Sequence, residues 1–589
     1  MTRHSKTISR RDALRTVGGL ATGFALAGCA SAPQGESTPA DRTFRMIGQP
    51  LRTLDPAQSI DTASARVVTQ LYDGLTYYPK GNPTPELLLA EDLSVSDDGT
   101  EYTFALKRDV TFTDGSTLGA ADVVYTFERL AASPNSSWAS TLLDLVGVEH
   151  ERRDADSGGD GEYVPGSLGV EALDERTVRI RLSSPFHATT AVLAHPSFGI
   201  VPEGVVGDVE GHDGRLSQEE FATDRPVGAG PFELDYWNQG TEYRVKARED
   251  YHGHGPVSAG VHWQVISEPT SAFEYALNGN ADAFWTPDSE FDPGSVSIES
   301  EDEQGRKIGS YGPLEGSGDT VRYLQVPQAA TMYLGFNAER VPKPVRRAVA
   351  YALNQDQQLR DIHKGRGVAA AHLTPPNLFP GGPEGYDRHV REEYPYGIGE
   401  TRLDAAERVL RGAGYAPDDP AEVTFTTYEG DNWRSTGELL RDQLTAVGVE
   451  LTIEEAPFSA LAKRRESGAL EMFSFGWAMD YAAAENFLQL LSPTTDASQH
   501  RWEGTDASAR AADAWERIED HRTASDADRR ARRRACLELE RANWEDAVLV
   551  PKYHPVGEGF YYRWVDVPKT GAAGFDKHKY NHVRIGRRS

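Results

Sequence analysis

Asp480 is the residue of this chain whose type and setting are best suited to holding a charged partner. It follows Phe473, Phe475 and Trp477, which alternate as the residues of a half-buried strand do. Trp477 and Tyr481 flank it. A carboxylate just past the end of such a strand stands where α/β proteins place their ligand groups. A carboxylate in such a place suits a cation, since a charge taken out of water needs a fixed counter-charge. One charge-assisted hydrogen bond of that kind is worth about 1.5–3 kcal/mol. From Glu485 to Leu491 an apolar helical pattern resumes, and taken alone Asp480 reads first as a surface-loop carboxylate or a helix N-cap.

Other candidate chemistry is weaker. His252, His254 and His262 are loosely spaced, with no carboxylate–histidine helix motif beside them; they read as turn and surface histidines, not a metal site. Gly228 and Gly230 in PVGAGP would cradle phosphate only between a strand and a helix. Here Phe232, Leu234 and Tyr236 alternate afterwards, which makes the segment a turn entering a strand. No nucleophile–base constellation emerges, so neither an enzyme nor a cofactor is expected.

The elements that must position Asp480 can be traced along the chain. At 589 residues, two or three lobes are expected rather than one core. Thr43 to Gly48 reads as a strand, and Val67, Val68, Leu71 and Tyr72 share one face of a helix that ends at Gly74. Two hairpin signals, Asp98-Gly99 and Asp114-Gly115, precede a helix with Val123, Val124, Phe127 and Leu130 on its apolar face. Thr424–Thr427, Glu438–Val447 and Val449–Ile453 form a strand–helix–strand unit, which implies parallel pairing. The strand leading to Asp480 follows that unit.

A formal net charge of −29 argues against nucleic acid as a partner. Arg529, Arg530, Arg532, Arg533 and Arg534 are accompanied by Asp528, Glu538, Glu540 and Glu545, the pattern of a salt-bridged solvated face. Arg outnumbers Lys, and an acidic, Lys-poor surface suits a protein kept hydrated in strong brine. A halophilic source is the hypothesis that follows.

The first 30 residues form an export segment, outside the fold. Ser9 to Leu14, with Arg10 and Arg11, resembles the twin-arginine motif; Leu26-Ala27-Gly28-Cys29 resembles a lipobox, whose Cys is lipidated. Residues 31–41, rich in Ser, Pro, Gly and Ala, read as a tether. Together these imply a lipid-anchored protein at the external face of the cell membrane.

Gly476, Trp477, Asp480, Tyr481, Asn486 and Phe487 match a GW-x-x-DY-x-x-x-x-NF segment. The block Leu54 to Leu75, PVGAGPFEL at Pro226 to Leu234, ALNGNADAF up to Phe284, and KPVRRAVAYAL at Lys343 to Leu353 match further motifs of the same family. The chain thus resembles the extracytoplasmic solute-binding proteins of ABC importers, family 5, of the dipeptide/oligopeptide-binding type, and a haloarchaeal lipoprotein among them. The resemblance implies an α/β, periplasmic-binding-protein-like fold of type II: two large lobes joined by a hinge, plus a small extra lobe. Lobe I is expected over 42–80, 186–265 and 551–589, the extra lobe over 81–185, and lobe II over 266–550. It implies that Asp480 takes a peptide's α-ammonium, with Gly476, Trp477 and Tyr481 around it. It also implies that the backbone of Ile60, Asp61 and Thr62 pairs with the ligand as an added strand. Some oligopeptide-binding members carry an Arg six residues before the Asp, where this chain has Ser474. The implied partners are a short peptide and ABC permease subunits, with the binding protein itself a monomer. Oligosaccharide or a metal chelate is the alternative ligand on the same fold, since Trp477, Trp433, Tyr428 and Tyr481 suit sugar faces too. An anchored extracellular hydrolase is the more distant alternative.

Two outcomes test these readings. Cys29→Ser should move the protein from the membrane to the soluble fraction; retention would argue against the lipid. The unfolding midpoint should rise steeply between low and molar salt; indifference to salt would exclude the halophilic hypothesis.

Overall fold

The structure is a computed structural model that describes residues 42–153, 161–492 and 500–588. Cys29, Arg10 and Arg11 lie outside the described residues.

Two large sheets organise the fold. The first has nine strands, with Thr43–Gly48 near its centre beside Gly260–Val265 and Ala283–Phe284, both parallel to it. Val556–Tyr561 and Val321–Pro327 continue it, and Lys307–Tyr311 and Val296–Glu301 complete that edge. The second has six strands, in the order Val368–Ala369, Leu549–His554, Ala330–Phe336, Met472–Ala478, Ala421–Tyr428 and Val449–Ala456. Ala421–Tyr428 runs parallel to Val449–Ala456, as the strand–helix–strand pattern requires. Helices cover both faces of this sheet. Val345, Val349, Leu410 and Leu440 pack on one face, and Phe487, Ala514, Ala535 and Leu539 on the other. A separate four-stranded sheet carries the Ala120–Ala132 helix, which buries Val123, Phe127 and Leu130.

The chain passes between the large sheets twice. Val321–Pro327 of the first runs into Ala330–Phe336 of the second, and Leu549–His554 of the second runs into Val556–Tyr561 of the first. The crossings lie side by side: the Gln328 N–H donates to the Pro555 carbonyl at 2.9 Å. This corrects the expected crossing near Ile266. Strands as late as Val321–Pro327 still belong to the nine-stranded sheet, because Val321–Pro327 pairs along its length with Val556–Tyr561. Periodicity shows that a strand exists, not which partner it takes.

Three local readings also change. The His252 imidazole is turned inward rather than to the surface, its side chain 4% exposed and its Nε2 2.7 Å from Asp73. Arg532 is buried, and its guanidinium donates to the Thr523 carbonyl at 2.7 Å, so the arginine-rich helix is not solvated all round. The helix expected from Glu438 starts earlier and spans Asp431–Thr445. Where the chain turns through Pro226 to Leu234, Gly228 and Gly230 press on the carbonyls of Leu71 and Gln70, and a Cβ would collide at 2.2 and 2.5 Å. These glycines serve backbone packing.

The extra sheet is fixed to the nine-stranded one by a buried ionic knot. Arg129, 1% exposed, donates to both oxygens of Asp55 at 2.8 and 2.6 Å and to Asp208 at 2.9 Å. Asp55 also accepts from Ala57 N and from Gln218. Full satisfaction makes such a knot tolerable in the interior, and removing one partner of a buried pair costs about 3–5 kcal/mol.

Candidate functional site

Asp480 lies two residues past the strand Met472–Ala478 and beside the crossing segment. Its neighbour Met479 donates its N–H to the Ala329 carbonyl at 2.9 Å, so the carboxylate is tied directly to the passage between sheets. Asn486, fully buried, holds the group in place. The Asn486 amide donates to Asp480 Oδ2 at 3.1 Å, and its oxygen accepts from Asp480 N at 3.1 Å and from Trp477 Nε1 at 3.3 Å. Thus one Asn orients both the acid and the indole.

Among the described residues no Lys, Arg or His nitrogen lies within ion-pair distance of Asp480. Asp480 is exposed to solvent where it lines a cleft. The protein around it raises its carboxyl above the usual range, against the smaller opposing effects of Asn486 and the Lys577 ammonium. Lys577 itself pairs with Asp576 at 3.0 Å. A cleft of about 530 Å³ opens on Asp480 and Trp477, with Phe186, His187, Glu485 and Arg522 among its walls.

The remaining expected site residues are placed as follows. Gly476 is half-buried against Met332, whose Sδ a Cβ would meet at 2.4 Å. Tyr481 is buried, its ring edge-on to Phe186 at 5.7 Å, so it packs rather than presenting a face. Ile60 is 64% exposed. Asp61 caps the helix Thr62–Leu71 by accepting from Ser64 N at 2.9 Å, and its own backbone is extended at φ −109, ψ 151. Among the described residues no backbone partner takes the Ile60 N–H or C=O. The preceding Ser59 carbonyl is anchored by Trp138 Nε1 at 3.1 Å. Trp138 stacks near His195 at 4.3 Å, and His195 lies within electrostatic reach of Lys577. A chain of contacts thus links the exposed strand-like segment to the surroundings of Asp480.

Sequence reasoning missed three contributors. Asn486 stood in the matched motif without a role. Lys577 comes from the far end of the chain, and nothing local marks it. The third is a set of contacts across the crossing: Arg366 pairs with Glu558 at 2.5 Å and Asp288 at 2.6 Å, and Asn432 donates to Asp288 at 2.8 Å. On the other flank His187 bonds to Glu485, and Arg522 lies over the Phe186 ring at 4.7 Å. Ser474, at the place of the family's Arg, is fully buried and shares a 2.6 Å hydrogen bond with Thr427, so it meets no ligand.

Comparison with known proteins fits this geometry. The model of the bacterial extracellular solute-binding proteins, family 5, matches residues 84–499. A glutathione-binding protein GsiB of Salmonella choleraesuis is 24% identical over 452 residues, covering 74% of this chain and 75% of the relative. Among solved structures, OppA of Haemophilus influenzae in complex with RPPGFSPFR superposes with a TM-score of 0.66 at 18% identity, over 92% of this chain and 99% of that one. DppA of Helicobacter pylori in complex with the peptide STSA gives 0.65 at 21% identity, over 93% and 99%. These likenesses show a mixed α/β periplasmic-binding-protein fold.

Proposed function

Since the chain belongs to the family 5 bacterial extracellular solute-binding proteins, and so is a binding protein and not an enzyme, we propose that it captures short peptides between its two large lobes. In this reading Asp480 receives the peptide ammonium, Trp477 frames it, and the extended backbone at Ile60, Asp61 and Thr62 pairs with the peptide as an added strand. Lobe I comprises 42–80, 186–327 and 555–589, the extra lobe 81–185, and lobe II 328–554, divided by sheet membership. The two crossings act as the hinge, and the contacts of Arg366, Asp288 and Asn432 belong to the closed form. The closed, loaded monomer is what the permease of an ABC importer would recognise. A lipid on Cys29, added after twin-arginine export, would keep the protein at the outer face of the membrane. Among the described residues no helix is long and apolar enough to cross one.

The observation that carries the reading is a cleft carboxylate fixed by a buried Asn, one residue from the crossing, with no cation in ion-pair distance among the described residues. The peptides in the neighbouring OppA and DppA complexes, and the glutathione of the GsiB relative, support the same ligand class. Oligosaccharide is less favoured on a specific ground. Of the aromatic groups that suit a sugar, Trp433 is buried with the Lys552 ammonium 4.4 Å over its ring, and Tyr481 is packed on Phe186.

Asp480→Ala should weaken binding of a free-amine tripeptide by about tenfold or more, the low end of a charged hydrogen bond. Titration calorimetry reads this directly, and an unchanged affinity would remove Asp480 from the site.

A further inference from the structure

The Thr62–Leu71 helix carries a second uncompensated charge. Arg66 lies one turn beyond Thr62, and its Nε is sealed from solvent with no hydrogen-bond partner. Among the described residues no carboxylate lies within ion-pair distance of its guanidinium. Tyr243, Tyr561, Tyr580 and Asp576 surround it. Asp576 is already engaged by Lys577 at 3.0 Å. Arg66, Phe284, Trp285, Glu558, Tyr561 and Tyr580 line a cavity of about 100 Å³. Its one acidic liner, Glu558, is engaged by Arg366 at 2.5 Å. Asp61, at the start of the same helix, spends one oxygen on its capping bond and makes no ion pair. A second polar liner, His578 Nε2, is likewise buried without a partner.

A guanidinium cannot shed its charge as a lysine can, because it stays protonated throughout the working pH range. Arg66 is half-buried with its Nε sealed and unpartnered; that part-burial carries a cost which an anion relieves. Its planar fork matches a carboxylate bidentately. The other liners are mostly aromatic or aliphatic, so an apolar group suits the space beside that carboxylate. The cavity also lies on the helix whose start supplies the exposed Ile60 to Thr62 backbone. Ser474 cannot serve the same end of a ligand, being fully buried.

We propose that Arg66 and its cavity form the subsite for the carboxylate end of the ligand, taking a terminal carboxylate carried on an apolar or aromatic residue. The peptide reading supplies the ligand to which this end belongs. The pair Asp480 and Arg66 then selects guests with an ammonium at one end and a carboxylate at the other.

The test uses the full chain with three probes: the tripeptide Ala-Ala-Phe, its C-terminal amide, and N-acetylphenylalanine, which has no ammonium. Wild type should bind the free acid at least tenfold more tightly than the amide. In Arg66→Gln the acid should fall to the affinity of the amide, which itself should be unchanged, and Arg66→Lys should recover part of the difference. Millimolar N-acetylphenylalanine should raise the melting temperature of wild type and of Asp480→Asn alike, and not that of Arg66→Gln. Equal binding of acid and amide by wild type overturns the proposal, and this comparison stands even if the variants fail to fold. Equal weakening of acid and amide by Arg66→Gln overturns it too, since that marks a structural role. If neither tripeptide binds while N-acetylphenylalanine still stabilises through Arg66, the peptide reading fails and the subsite stands. If N-acetylphenylalanine stabilises nothing, the subsite fails.

Discussion

One carboxylate, Asp480, is held beside a double crossing of the chain, and among the described residues no cation lies within ion-pair distance of it. Its surroundings raise its carboxyl above the usual range. Its neighbours fix it in place: Asn486 grips both its side chain and its backbone, and Met479 is bonded to Ala329 in the crossing itself. In the proposed reading the ammonium of a peptide supplies the charge that this carboxylate lacks.

Other buried charges in the molecule are treated differently. Arg129 sits at the centre of a knot in which Asp55 and Asp208 are both satisfied. Burial holds His195 neutral at about 3 and His578 likewise. Asp282 is held below the usual carboxylate range, where burial is overcome by Arg588 and Arg45. Lys552, by contrast, is buried with the Thr436 hydroxyl as its hydrogen-bond partner, and burial lowers its ammonium to about 7. Asp480 and Arg66 are charges of opposite sign that, among the described residues, have no ion pair.

The crossings give that chemistry a mechanical setting. Both strands pass between the same two sheets, side by side, so rotation at residues 328–329 and 555 would move the six-stranded sheet against the nine-stranded one. Contacts bridge the sheets on both flanks, through Arg366, Asp288 and Asn432 on one and His187, Glu485 and Arg522 on the other. Most of these are polar contacts between side chains, Asn432 and Glu485 standing on helices and Arg522 lying over the Phe186 ring.

Much of the fold was legible in the sequence because it is local. The strand at Thr43–Gly48, the helix Asp526–Asp546, and the parallel unit before Asp480 follow from alternation, helical spacing and turn residues. So did the position of Asp480 just past a strand end, together with the matched motif around it. Sheet membership was not legible: Val321–Pro327 has the pattern of any buried strand, and only pairing with a segment more than two hundred residues away places it in the first sheet. The same holds for charge. Sequence shows that Asp480, Arg66, Asp576 and Lys577 exist, but whether a charge finds a partner depends on which side chains the folded chain brings within a few ångströms. Tertiary structure alone decided that Lys577 comes within electrostatic reach of Asp480 and Asp576 within reach of Arg66, while among the described residues neither Asp480 nor Arg66 forms an ion pair.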